Sequence, residues 1–336
     1  MTTKSDAINE ERAPQLTLID RINIIKNHRF FPIIFPLTML VVLFLLFVVL
    51  TGGKFLKASV ITGIFNQSLI IGTLATGVAF IYTTGNIDFS VGAVMGLACV
   101  IGAMAYQATN SMLVLILVTA LCGIGIMMIN CTLGVVFKIM PAMVAIVAQS
   151  IYSALCIVLV GAAPLKVDFK SCQALEGNFR YIAFVLYFLT CLILYHRTAI
   201  GRKLRFIGGN ETCAVQTGIN KTKTLYLSFL FAGIGVGLAG VFQTLRTANV
   251  ASNVGAGMGM DVMLATVLGG MSIFGGTKSN CFAGLIGAIT VTILDKGLLM
   301  LGVSSTMIQG VRGVIFLLLV FLNSERPKTL PSRQQF

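Results

Sequence analysis

The sequence predicts an all-α polytopic membrane bundle of about ten transmembrane helices, some of them broken or re-entrant. Three observations carry this. Of 336 residues, 57% are hydrophobic and only 10% charged, with a mean hydropathy of +0.94, whereas a water-soluble domain carries about 25% charged residues. Apolar runs recur along the chain at close to the roughly 20 residues a helix needs to cross hydrocarbon. Lysine and arginine gather between those runs, and on alternate sides of them.

The first run, 30–50, is uncharged over 21 residues. Further runs cover about 58–84, 89–108, 112–137, 140–163, 181–195, 224–243, 261–275, 281–303 and 307–323. The second is long for one straight helix, and 261–275 is short. Gly269, Gly270, Gly275 and Gly276 mark a bent or interrupted segment there. With the N-terminus in the cytoplasm, 16 of the 24 Lys+Arg fall on the cytoplasmic side, six outside and two within spans. Both termini are therefore expected in the cytoplasm. The organisation read from this is a cytoplasmic tail over 1–29, a transmembrane domain over 30–323 with a cytoplasmic segment at 196–223, and a tail over 324–336.

The net charge of +13 would point to nucleic acid in a soluble chain, but here topology accounts for it and no nucleic-acid partner is expected. Of eight cysteines, only Cys172 and Cys213 fall in polar loops; with no CxxC and only His28 and His196, no cysteine/histidine metal site is expected. Residues 1–29 contain Asp6, Glu10, Glu11 and Asp20 and no short apolar stretch, unlike a cleaved signal peptide. No G-x-x-x-x-G-K-[ST] phosphate loop is present, so ATP energy would have to come from another subunit.

Two segments stand out chemically. Gly85-Asn86-Ile87-Asp88-Phe89-Ser90-Val91-Gly92 joins two apolar runs. A carboxylate there is costly unless satisfied, and Asp88 or Ser90 suits the start of the following helix as a cap. The residues alone admit either a capped helix start or a broken helix bordering a substrate path. The second segment contains Gly208-Gly209-Asn210-Glu211, which reads as a helix start with an acid in its first turn, and Gly218 as its stop. Flanked by Arg202, Lys203, Arg205, Lys221 and Lys223, it is either a docking helix or a basic loop that fixes topology.

These segments resemble those of the permease subunits of bacterial ribose-type sugar ABC importers. Gly85, Ile87, Asp88, Ser90, Val91 and Gly92 match the family's G-G-I-D-L-S-V-G, with Asn86 and Phe89 departing from it. Gly201, Arg202, Ile207, Gly208, Gly209, Asn210, Glu211, Ala214, Gly218 and Ile219 fit its coupling segment, while Phe206, Thr212 and Cys213 do not. Gln67-Ser68, Met140-Pro141-Ala142, residues 261–277 and Leu301-Gly302-Val303-Ser304-Ser305 also match, so the similarity runs from about residue 30 to 323.

The resemblance implies a type II importer-like permease in the bacterial inner membrane, carrying out alternating access for a monosaccharide. It implies pairing with a second copy or a sibling permease, with two ABC ATPase subunits that bind ATP and Mg²⁺, and with an extracytoplasmic sugar-binding protein. No cofactor is expected in this chain and no residue is expected to be catalytic. Gly208, Gly209, Asn210, Glu211, Ala214 and Gly218 are then the residues coupling to the ATPase. Gln67, Gly85, Asn86, Asp88, Ser90 and Gly92 belong to the translocation path or a helix break.

The remaining charges, Arg246, Asp261, Asp295, Lys296 and Arg312, are expected near span ends or helix breaks, paired or hydrated. Asp295 and Lys296 point about 100° apart on a helix and do not pair with each other. Gly233, Gly235, Gly237 and Gly240 permit close helix crossing within the chain. The loop 164–180, with Lys166, Asp168, Lys170, Glu176 and Arg180, reads as solvated or as a contact for a binding protein. Alternatives are a nucleoside or branched-chain amino-acid permease, or an ion-coupled carrier using Asp261 or Asp295. An intramembrane enzyme lacks HExxH, G-x-S-x-G and any catalytic His/carboxylate cluster.

Overall fold

In a computed structural model, residues 31–272, 275–277 and 279–323 are described. The tails 1–29 and 324–336, the anticipated cytoplasmic cation Lys278, and Ile273-Phe274 of the 261–277 motif lie outside them. Helix α1 spans Phe31–Leu50, α2 Ala58–Thr83, α3 Val91–Thr109, α4 Met112–Val136 and α5 Pro141–Val160. After a two-residue strand β1, Leu165–Lys166, come α6 Phe169–Glu176, α7 Asn178–Arg197, α8 Ala199–Gly209, α9 Glu211–Gln216 and α10 Lys221–Thr247. Strand β2, Asn249–Val250, then leads to α11 Met258–Leu268, α12 Cys281–Met300 and α13 Ser305–Asn323.

Seven of these helices, α2, α3, α4, α5, α7, α10 and α12, are long and apolar enough to cross a membrane, and α1, α11 and α13 contribute three shorter apolar stretches. The apolar runs read from the sequence thus each become a helix. The long run at 58–84 is a single helix of 26 residues, about 39 Å at ~1.5 Å per residue.

Burial sorts the helices. The apolar stretch of α2 is 83% buried and that of α10 67%, whereas α4 and α7 are 28% and α5 22% buried. A helix apolar on all sides yet largely uncovered is what lipid contact requires, so α2 and α10 form the axis and α4, α5 and α7 the lipid-facing ring.

Glycine contacts set the crossings. A Cβ at Gly123 of α4 would lie 2.6 Å from the Gly237 amide nitrogen of α10, and one at Gly233 2.8 Å from Ile124 Cα. The Gly233/Gly237 stripe is therefore an internal α4–α10 seam, as expected. Gly235 faces the other way, where a Cβ would meet the Tyr187 hydroxyl at 2.5 Å and the Thr73 carbonyl at 3.0 Å.

The interruption near 261–275 is real, with turns at Gly269–Gly270 and Gly275–Gly276. A second break precedes it. Residues 251–257 are turns, and α11 begins only at Met258 after Gly257 at φ +79°. Its 11 residues span about 16 Å, half of a hydrocarbon core of about 30 Å. The start of α11 is packed into the bundle: a Cβ at Gly92 would lie 2.7 Å from both Gly255 O and Gly259 N. Of the two readings of Gly85–Gly92, a capped helix start or a broken helix, neither makes a half-helix there: α2 and α3 on either side of residues 84–90 are full-length, and the half-length segment is the one that packs on Gly92.

At one end of the bundle β1 pairs antiparallel with β2 (Leu165 opposite Val250, Lys166 opposite Asn249), and the Val167 N–H donates to Ala248 O at 2.9 Å. At the other end lie α8 and α9. The loop 164–180 is more ordered than a solvated linker. Cys172 on α6 is buried at 1% exposure, and Arg180, in the first turn of α7, is 2% exposed. Both face inward because α6 packs on α10 and α7, which polarity alone did not reveal.

Candidate functional site

Four polar assemblies interrupt the apolar bundle. The first is built on Asp88, 1% exposed in the α2–α3 connection. Its Oδ1 accepts from the Ser90 N–H at 2.8 Å and from the Ser90 hydroxyl at 2.6 Å. Asn130 Nδ2 of α4 donates to Ser90 Oγ at 2.9 Å, and the Tyr152 hydroxyl of α5 donates to Asn130 Oδ1 at 2.6 Å. The Tyr82 hydroxyl donates to the Asp88 carbonyl at 3.3 Å. Burial pushes the Asp88 carboxyl above its ordinary value, and the two Ser90 hydrogen bonds oppose that.

Ser90 is the N-cap residue of α3, but its side chain makes no capping bond there. It is turned back to Asp88, so the pair closes the turn before the helix and ties it to α4 and α5. Asn86 Nδ2 donates to Thr84 Oγ1 at 2.8 Å, and Gly85 adopts φ +80° in the same turn. Beside this turn, Tyr82, Ile87, Met263 and Met271 line a narrow cavity with about 10 Å³ open to the centre of a water molecule, room for about one water.

The second assembly joins that turn to α8 and α9. The Gly276 N–H donates to Thr83 O at 3.0 Å, and Thr83 Oγ1 shares a 2.8 Å hydrogen bond with the Tyr195 hydroxyl. Arg205 Nη2 of α8 donates to Tyr195 O at 2.8 Å, and its guanidinium lies 4.8 Å from the Tyr195 ring centroid. Gly208 sits inside this joint: a Cβ there would overlap Thr83 O and lie 2.6 Å from Gly276 N. Gly209 has nothing within 4 Å of such a Cβ.

Beyond the joint, Asn210 caps α9 by accepting from the Cys213 N–H at 3.0 Å; the helix start read at Gly208-Gly209-Asn210-Glu211 thus falls at Asn210, and Gly208 and Gly209 close α8 instead. Glu211 pairs with Lys221 at 2.5 Å, both exposed, and Ala214 is buried beneath. Gly218 ends the segment at φ +85°, a left-handed conformation that favours glycine. The coupling residues read from the sequence therefore divide: Gly208 and Ala214 face the bundle, while Gly209, Asn210, Glu211 and Gly218 lie exposed.

The third assembly lies toward the β1/β2 end. Gln67 Oε1 of α2 contacts Arg246 Nη1 of α10. Nearby, Arg180 bridges Glu176 and Asn66, each at 2.9 Å, and Tyr181 donates to Asn66 Oδ1 at 3.2 Å. On α6 itself, hydrogen bonds from Ser171 hold the exposed Asp168 carboxyl below its ordinary value. Gln67 is thus away from the Asp88 turn, in the first half of α2 and 16 residues before that helix ends at Thr83.

Of the late charges, Asp261, Asp295 and Arg312 are paired, while Lys296 makes no ion pair among the described residues. Arg312 of α13 grips Asp295 of α12 through Nε at 2.8 Å and Nη2 at 2.5 Å, and its Nη1 lies 2.5 Å from Asp261 in the first turns of α11. One guanidinium therefore holds the half-helix α11 to α12 and α13. The sequence singled out all three residues but not their partnership, which rests on the bend before α11. Asn130, Tyr152 and Tyr195 went unremarked; a lone amide in an apolar run was the available signal for Asn130.

A bundle with a buried axis, a lipid-facing ring, one half-length crossing and a polar joint beneath an exposed short helix is that of a multi-pass membrane protein. The chain belongs to the family described as branched-chain amino acid transport system / permease component, whose pattern matches residues 60–320. It is similar to the ribose import permease protein RbsC of Bacillus subtilis, 30% identical over 295 residues, covering 84% of this chain and 91% of that one. It is likewise similar to the fructose import permease protein FrcC of Rhizobium meliloti, 30% identical over 292 residues with 81% and 79% covered. A third relative is the galactofuranose transporter permease protein YtfT of Escherichia coli, 29% identical over 291 residues with 83% of each covered. No solved structure matches the chain. The ribose-type permease resemblance read from the motifs is borne out by these matches.

Proposed function

We propose that this chain is the membrane subunit of an ATP-driven importer that moves a monosaccharide, ribose-like or related, across the bacterial cytoplasmic membrane. The observation that carries this is the end-to-end similarity to sugar import permeases over more than four-fifths of the chain. The family description names branched-chain amino acids, but these three relatives are named for sugars, and the substrate reading follows them.

In this reading α9 is the element seated in a separate ABC ATPase, which binds ATP and Mg²⁺. The α8–α9 end, with its basic residues, faces the cytoplasm together with both termini, and the β1/β2 end faces an external sugar-binding protein. Glu211, Asn210, Gly209 and Gly218 present the docking surface. Gly208 and Ala214 transmit its movement to Thr83 and residues 275–276, and from there to the Asp88 turn. Asp88 and Ser90 keep that turn rigid, so that displacement reaches α4 and α5 through Asn130 and Tyr152 instead of dissipating in a loop. Gln67 and Arg246 border the outer part of the path between α2 and α10. A second copy or a sibling permease completes the pathway.

An ion-coupled carrier would need a free acid in the membrane. Asp261 and Asp295 are both engaged by Arg312, which disfavours that role. The test is co-purification of tagged full-length chain from its native membrane. Recovery of an ATP-binding-cassette protein, reduced in Glu211→Ala, is the expected result; recovery of the chain alone with ion-driven uptake contradicts the proposal.

A further inference from the structure

The last two turns of α7 and the start of α12 form a surface groove that the transport reading does not use. Leu192, Ile193, His196, Arg197 and Phe282 line it, and about 260 Å³ of it is open to the centre of a water molecule. Its walls are apolar and uncovered: Ile193 is 56% and Phe282 42% exposed. Its rim is cationic. Arg197 is exposed and makes no ion pair among the described residues.

The surrounding sequence is one-sided in charge. Between Glu176 and Glu211 there is no acidic residue, while Arg197, Arg202, Lys203 and Arg205 fall within nine positions. Helix α8 extends this surface. Its buried face is Gly201, Leu204 and Ile207, and its outward residues are Ala199, Arg202, Lys203 and Phe206, the last 60% exposed. A short helix with cations and an uncovered aromatic on one face lies in a membrane interface.

We infer that this groove is a binding site for one anionic phospholipid, its phosphate at Arg197 and its acyl chain along Leu192, Ile193 and Phe282. Basic pockets between transmembrane helices at the membrane surface take phosphate headgroups. A free phosphate ion would use the cation but gain nothing from the uncovered Ile193 and Phe282 side chains. A zwitterionic lipid would use the apolar wall but carries a compensating ammonium that Arg197 repels. Only an anionic lipid answers both halves of the site. The inference rests on the multi-pass fold and not on the sugar assignment.

The groove adjoins the coupling joint. The His196 ring lies 5.0 Å from that of Tyr195 and 6.1 Å from that of Phe282. Tyr195 in turn holds Thr83 and Arg205. An occupied site therefore braces α7 against α12 where Tyr195 meets α2 and α8, and bound lipid raises the stability of the joint.

The test uses the purified full-length chain in nanodiscs of phosphatidylcholine, alone or mixed with phosphatidylglycerol, followed by native mass spectrometry of retained lipid. One phosphatidylglycerol is expected to stay bound, with a rise in unfolding temperature in the mixed discs. Arg197→Gln is expected to lower retention about fivefold, the effect of one surface cation, while Lys170→Gln at the opposite end changes nothing. Ile193→Glu, which places an anion beside the proposed acyl chain, is expected to abolish retention. Equal retention of phosphatidylcholine, an equal thermal shift from inorganic phosphate, or unchanged retention in Arg197→Gln overturns the inference. So does a self-associated chain that holds no lipid at this face.

Discussion

Replacing Gly208 with alanine tests whether the coupling segment is built into the core or merely attached to it. Gly208 does not have a positive φ, so the backbone accepts alanine without strain and the effect is steric. The new Cβ would overlap Thr83 O and stand 2.6 Å from Gly276 N, both backbone atoms that no rotamer change can withdraw. Relief requires parting the three segments by more than 1 Å, on the order of the overlap with a normal contact of about 3.5 Å. That opens the Gly276–Thr83 hydrogen bond of 3.0 Å, at about 1 kcal/mol, and overpacks the joint at about 1–3 kcal/mol. A loss of about 2–4 kcal/mol follows by adding those terms. Gly209→Ala, with open space around its Cβ, is the control and should stay within about 0.5 kcal/mol. Chemical unfolding of both variants in detergent, together with ATP-dependent uptake, reads the difference. Equal stability and uptake in Gly208→Ala and wild type would refute the joint.

The other predictions follow from the same geometry. Asp88→Ala leaves the buried Ser90 N–H and hydroxyl without their acceptor, at about 1–3 kcal/mol; transport should fall with substrate preference unchanged, and a clean switch of preference would count against a structural role. Arg312→Met strands Asp261 and Asp295 in the bundle and should destabilise by about 3–5 kcal/mol, with partial recovery when both acids are made Asn. Glu211→Ala removes an exposed ion pair with Lys221 worth about 0–1 kcal/mol, so it should reduce coupling while leaving unfolding unchanged; parallel loss of both would assign Glu211 to folding alone. A membrane-impermeant maleimide should label the exposed Cys213 from the cytoplasmic side and leave the buried Cys172 unmodified from either side. Labelling of Cys213 from outside would invert the orientation.

Much of this was legible in the residues. The helices follow apolar runs because a bilayer leaves the backbone no other partner than itself, so hydropathy located them to within a few positions, except that the run at 261–275 continues seven residues past the end of α11 at Leu268. Helix α9 was legible because its punctuation is local: Asn210 caps it and Gly218 stops it. What failed was non-local. Nothing in Cys172 or Arg180 says that their polar stretch folds inward, since that depends on α6 packing against α10 and α7. The connection before α11 fell between the runs ending at 243 and starting at 261, but that it turns inside the bundle, with Gly255 packed on Gly92, depends on tertiary contact. The Arg312 pairing with Asp261 and Asp295 joins residues up to 51 positions apart, beyond any periodicity. For Gly208 the motif supplied importance but not the reason, which is the closeness of Thr83 and Gly276.

The most direct test of the account is sugar uptake into proteoliposomes that contain this chain with its co-purified ATPase and external binding protein. Entry of a monosaccharide that requires ATP, ignores ion gradients and is lost in Gly208→Ala is the predicted result. Uptake by the chain alone, driven by a proton or sodium gradient and abolished by Asp261→Asn, would contradict it.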